Sequence, residues 1–135
     1  LFSVTKSLVG TIAETLIAQG RLAEDARAAA LVPELAGSGL GDASVRQILD
    51  MRTGLAFNED YVPGQAGLTD VQRMSIAAGL APRPADYDGP DALMALVASL
   101  GHNAPHGGDF VYRTPNTQCL QWIIERVTDT GLPEL

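Results

Sequence analysis

Ser3-Val4-Thr5-Lys6 is the segment whose residue types and spacing could do chemistry. Residues three apart share one face of a helix. A serine in a first helical turn would therefore have the lysine of the next turn beside it. The unpaired N–H groups and positive dipole end of that helix could hold an oxyanion developing as Ser3 attacks a carbonyl. Lysine, unlike arginine, can give up its proton, so Lys6 could take the serine proton. Lys6 is the only lysine in the chain; every other side-chain cation except histidine is an arginine. The same pattern also fits an N-cap serine followed by a surface lysine.

Elements that could position such a pair follow from the apolar periodicity. Val4, Leu8, Ile12 and Leu16, with Val9, Ala13 and Ile17, predict a helix over 3–19, stopped by Gly20. Residues 21–41 read as looser chain, with Pro33 and Gly37, Gly39 and Gly41. Ser44 with Gln47 forms a capping-box pattern that opens a second helix, closed by Thr53-Gly54. Asn58 to Leu68 is a polar connection holding Tyr61 and Pro63. Thr69 with Gln72 repeats the capping-box signal before a helix to about Ala78. After a proline-rich connector, Pro90 fits the N1 position of a helix over 91–100. Residues 101–110 form a loop longer than most connections, which suits a functional role. The last helix spans 117–130, with Leu120, Ile123, Ile124 and Val127 on one face and Gly131 as its stop. No segment alternates as a strand, so the expected fold class is mainly α.

Composition narrows the functions. A net charge of -7 opposes binding to nucleic-acid phosphates, which needs clustered Lys and Arg. No apolar run reaches the roughly 18 residues needed to span a bilayer. The single cysteine, Cys119, allows no internal disulfide and no multi-cysteine metal site, and reads as a packed thiol. His102 and His106 lie four apart, but Pro105 places them in a loop without a third ligand, so no metal site is expected. Asp109 reads as a solvated carboxylate. The adjacent Glu59 and Asp60 point apart and make no acid/base pair.

Phe2-Ser3-Val4-Thr5-Lys6-Ser7, Leu31 to Leu35, Val45 to Leu55, Phe57 to Tyr61 and Tyr112-Arg113-Thr114, in that order, resemble the motifs of the serine β-lactamase-related hydrolases, a family with class C β-lactamases, carboxylesterases and nylon-oligomer (6-aminohexanoate-dimer) hydrolases. Phe2-Ser3-Val4-Thr5-Lys6-Ser7 is similar to its nucleophile box, and Leu31-Val32-Pro33-Glu34-Leu35 to its Leu-Pro-Glu-Leu stretch. Val45 to Leu55 and Phe57 to Tyr61 resemble the two stretches that follow, the second in the nylon-oligomer branch. Tyr112-Arg113-Thr114 stands where the family has Tyr-x-Asn or Tyr-x-Ser.

The resemblance implies acyl transfer to Ser3 and then hydrolysis, with Lys6 as base and Tyr112 as proton relay. Tyr61 and Thr114 would contact substrate, Tyr61 by donating a hydrogen bond to the leaving nitrogen. The substrate would be a small ester or linear amide; no cofactor and no nucleic-acid partner is implied. Thr114 departs from the asparagine of the class C pattern and points to the esterase and amidase branches, away from a β-lactamase or DD-peptidase. The family's third motif, Lys-Thr-Gly or its equivalent on a sheet strand, is absent. The chain, 1–135, thus reads as the helical part of an α/β hydrolase domain whose flanking antiparallel sheet lies outside it. Alone it is expected to be inactive and prone to self-association. The bacterial-type family leaves a cytoplasmic or periplasmic location open. A different class, a helical interaction module without activity, would lack the combination of Ser3, Lys6 and Tyr112.

Overall fold

A computed structural model describes residues 3–62 and 67–134. Phe2 and Pro63 lie outside the described residues. The fold is helical: α1 (Val4–Ala18), α2 (Ala28–Leu31), α3 (Val45–Leu49), α4 (Asp70–Ala77), α5 (Leu93–Ser99) and α6 (Thr114–Thr128), with 3-10 turns at Pro33–Leu35 and Leu132–Glu134. Among the described residues there is no strand; isolated bridges join Arg27 to Ser44 and Leu55 to His102. Nor is any described helix long and apolar enough to cross a membrane.

The core sits where α1, α3 and α6 meet. Val9, Ala13 and Leu16 of α1, Val45 and Ile48 of α3, and Cys119, Leu120, Ile123 and Ile124 of α6 are all buried. Their spacings of three and four place them on one stripe of each helix. Each large aliphatic side chain fully buried there contributes about 1.5–3 kcal/mol. The opposite case is Val4 and Leu8, which lie in α1 yet remain 59 % and 52 % exposed. Burial lifts the Cys119 thiol to about 12, so it packs as an apolar group.

Helix ends show where sequence signals suffice. α1 closes in a Schellman turn: Gly20 has φ +67°, its N–H bonds the Ile17 carbonyl, and the Arg21 N–H bonds that of Leu16. Ser44 and Gln47 cap α3 reciprocally, at 3.2 and 2.9 Å. But α3 stops at Leu49, four residues before Thr53. Its Schellman residue is Met51, at φ +53°, with Arg52 N–H on the Gln47 carbonyl. A non-glycine residue costs about 1–2 kcal/mol in that conformation, so its identity gives no warning of the turn. α5 starts at Leu93, after Ala92 as N-cap, so Pro90 is not its N1 residue; its carbonyl accepts the Tyr87 hydroxyl instead. α6 begins at Thr114, three residues earlier than its periodicity suggests, because Pro115 occupies its first turn. It ends through Asp129, at φ +52°, before Gly131 is reached.

Candidate active site

Ser3 stands at the N-cap of α1 but does not cap it. Its backbone is already helical (φ -70°, ψ -9°), which differs from the extended geometry a capping side chain needs. The hydroxyl is thereby free for another partner, and that partner is Tyr112. The two oxygens are 2.6 Å apart, across 109 positions of sequence. Lys6 Nζ lies 3.4 Å from Ser3 Oγ and 4.9 Å from the centroid of the Tyr112 ring. Among the described residues no carboxylate pairs with Lys6. Ser3 and Tyr112 are exposed and Lys6 half-buried, so the three groups form an open surface site.

Tyr112 reaches Ser3 because the 101–111 loop lies along the segment after α3. The Val111 N–H donates to the Met51 carbonyl at 3.0 Å, Gly107 to Arg52 at 2.8 Å, Asn103 to Gly54 at 2.9 Å, and Ala56 to Gly101 at 2.9 Å. Arg52 returns two bonds, to the carbonyls of Gly108 and Gly107 at 2.7 and 2.6 Å. Arg113 Nη1 donates to the Thr53 carbonyl at 2.9 Å, and buried Asn116 accepts the Thr53 hydroxyl at 2.8 Å. Gly54 is required by contact: a Cβ there would overlap the Ala104 carbonyl. His106 belongs to the same lattice. Its Nδ1 accepts the Gly54 N–H and its Nε2 faces Asp42 Oδ1, both at 3.0 Å. That bond holds the Asp42 carboxyl below its ordinary range. The long loop is thus ordered by backbone pairing, and His106 serves that order.

Tyr61 sits in a segment fastened to the start of α4. Asn58 N–H donates to Asp70 at 2.8 Å, Gln72 Nε2 donates to the Tyr61 carbonyl at 3.1 Å, and the Thr69 hydroxyl donates to the Asp60 carbonyl. The Tyr61 hydroxyl donates to Glu59 Oε1 at 3.1 Å. Glu59 also accepts the Thr114 N–H at 2.8 Å and the Thr114 hydroxyl. Desolvation, followed by the Glu59 charge and hydrogen bond and by the proximity of Tyr112, holds the Tyr61 phenol above its ordinary range. Glu59 therefore joins Tyr61 to Thr114, two residues after Tyr112. Glu59 is the residue that sequence reasoning missed; a carboxylate in a polar loop gives no sign of a helix start 55 positions away. Asp109 is exposed, in the loop.

The beta-lactamase family profile matches residues 1–135. The chain belongs to the beta-lactamase family. A 6-aminohexanoate-dimer hydrolase of Paenarthrobacter ureafaciens is 41 % identical over 128 residues, covering 95 % of this chain and 31 % of its own length. Among solved structures, a putative 6-aminohexanoate-dimer hydrolase from Bacillus anthracis superposes with a TM-score of 0.82 at 26 % identity, over 95 % of this chain and 33 % of its own. EstCE1, a hydrolase with promiscuous acyltransferase activity, gives 0.71 at 20 % identity, over 98 % and 34 %, which speaks to the fold. The chain spans about a third of the length of these beta-lactamase-family relatives. Its helical architecture is the helical portion of that fold.

Proposed function

We propose that the protein carrying this chain is a serine hydrolase that forms an acyl-enzyme on an ester or small linear amide. Ser3 is the nucleophile, Lys6 the base and Tyr112 the relay. The observation that carries the reading is the convergence of Ser3 Oγ with Tyr112 Oη at 2.6 Å and Lys6 Nζ at 3.4 Å. Among the described residues no carboxylate pairs with Lys6, so no salt bridge draws its Nζ away from Ser3 Oγ. Lys6 takes the Ser3 proton as Oγ bonds the substrate carbonyl carbon. Tyr112, in contact with Oγ, passes a proton to the departing alcohol or amine, and water then releases the acid.

The N–H groups at the start of α1 supply one side of the oxyanion site. A second donor belongs to the sheet that completes such a domain, and residues 1–135 form its helical part. The commitment of Thr114 to Glu59, through both its N–H and its hydroxyl, supports an ester or amide substrate over a β-lactam, since that side chain is already engaged.

The test is labelling of the full-length protein with a serine-directed fluorophosphonate, followed by peptide mapping. Adduct on Ser3, with p-nitrophenyl ester hydrolysis removed by Ser3→Ala, is expected. Ester hydrolysis that survives Ser3→Ala would refute the assignment, and hydrolysis of a chromogenic cephalosporin at comparable kcat/KM would move the substrate to β-lactams.

A further inference from the structure

One peptide group beside the site is held from both sides. The Thr53–Gly54 peptide gives its N–H to His106 Nδ1 at 3.0 Å, and its carbonyl accepts Arg113 Nη1 at 2.9 Å. Arg113 is the residue after Tyr112, so a single planar group links His106 to the neighbour of Tyr112. An imidazole nitrogen that accepts an N–H carries no proton. The proton of neutral His106 therefore sits on Nε2, which donates to Asp42 Oδ1 at 3.0 Å. That bond holds the Asp42 carboxyl below its ordinary range and so keeps it an acceptor. The imidazole is 10 % exposed, so little water stands ready to replace either partner.

We propose that His106, oriented by Asp42, is a positioning residue that holds Tyr112 at Ser3 through the Thr53–Gly54 peptide, and that a proton on its Nδ1 releases the hold. The catalytic consequence rests on the serine-hydrolase reading. Protonating Nδ1 sets two N–H groups against each other across 3.0 Å. Either the peptide turns, carrying the Thr53 carbonyl off Arg113, or the ring leaves and the plane is held from one side only. Tyr112 shares its backbone with Arg113 and reaches Ser3 Oγ at 2.6 Å, and a misplacement of about 1 Å can cost on the order of a hundredfold in rate. Charged groups act on the ring from every side. Asp42 favours the imidazolium through Nε2. Opposing it are His102 when protonated, its ring centroid 6.3 Å away, Arg27 on the Asp42 carbonyl, Arg52 on the carbonyls of Gly107 and Gly108, and Arg113 across the peptide.

Asparagine and glutamine separate the two ring nitrogens. His106→Asn offers Gly54 an amide oxygen near the Nδ1 position and cannot be protonated there; His106→Gln reaches towards Asp42 instead. In the full-length protein at neutral pH, kcat/KM on a p-nitrophenyl ester should stay within about threefold of wild type in His106→Asn and fall about tenfold or more in His106→Gln and His106→Ala. The ratio of wild-type to His106→Asn kcat/KM cancels the limbs contributed by Lys6 and Tyr112. It should fall on acidification, in step with His106 protonation followed by NMR of 15N-histidine-labelled protein. The same spectra, assigned by the signal missing from His106→Asn, should show the Nε2–H tautomer before that protonation. A ratio that stays flat through the transition, an Nδ1–H tautomer, or a loss in His106→Asn as large as in His106→Gln would overturn the proposal. Ester turnover that survives Ser3→Ala strikes the nucleophile assignment alone, because the tautomer is read without any activity.

Discussion

Replacing Gly54 by alanine tests whether the 101–111 loop is what delivers Tyr112 to Ser3. A Cβ at Gly54 would overlap the Ala104 carbonyl and lie 3.0 Å from the Pro105 oxygen. Comfortable carbon contacts begin near 3.5 Å, so the Ala104 peptide must retreat by roughly 1 Å or more. Both obstructing atoms are backbone, so no side-chain rotation relieves the overlap. The retreat stretches the Asn103-to-Gly54 bond and the Gly54-to-His106 bond. At about 0.5–1.5 kcal/mol each, their loss amounts to a few kcal/mol at most, which a folded domain can survive. The catalytic effect should be larger in proportion. A misplacement of about 1 Å can cost on the order of a hundredfold in rate. Gly54→Ala in the full-length protein should therefore fold, by circular dichroism, yet hydrolyse p-nitrophenyl ester about a hundredfold more slowly. Gly37→Ala is the control: no atom lies within 4 Å of its added methyl, and its φ is not in the left-handed region, so it should change neither quantity. A Gly54→Ala protein within a few-fold of wild type would refute the claim that the loop's docking positions Tyr112.

Three further outcomes follow from the geometry. Lys6→Arg keeps the charge beside Ser3 but cannot accept its proton, so full-length turnover should fall by at least about a hundredfold; activity within a few-fold of wild type excludes Lys6 as base. Cys119 should resist a water-soluble disulfide reagent in the native protein and react fully in denaturant, because its thiol is buried and pushed up to about 12; fast native labelling would contradict the packing of α6. Residues 1–135 alone expose Val4, Leu8 and Phe110, and at about 25 cal/mol per Å² such apolar area favours self-association, so the isolated piece should be oligomeric by light scattering and inactive on esters. A monomer whose ester turnover is removed by Ser3→Ala would reverse that expectation.

The sequence by itself was enough for the local features. Helix periodicity placed α1 and α6 to within a few residues, since a buried stripe must recur every three or four positions, and the Thr69–Gln72 capping signal placed α4. The Ser44–Gln47 cap and the Gly20 stop were legible because each depends on side chains or a glycine only a few positions apart. The proximity of Ser3 and Lys6 followed in the same way, from one turn of one helix. The ordered motifs then named the family, and with it Tyr112. What tertiary structure alone decided is every relation between distant segments. Met51 in a left-handed turn ends α3 where no glycine announces it. Gly54 is needed because the Ala104 backbone passes over it, a contact 50 positions away. Glu59 was legible only as a neighbour of Asp60 that makes no acid/base pair with it, and only the packing of its loop against α6 makes it the acceptor for Thr114 and Tyr61. Capping and periodicity are short-range and leave marks in neighbouring residues. Backbone docking and shared acceptors leave none, because their partners are chosen by the path of the whole chain.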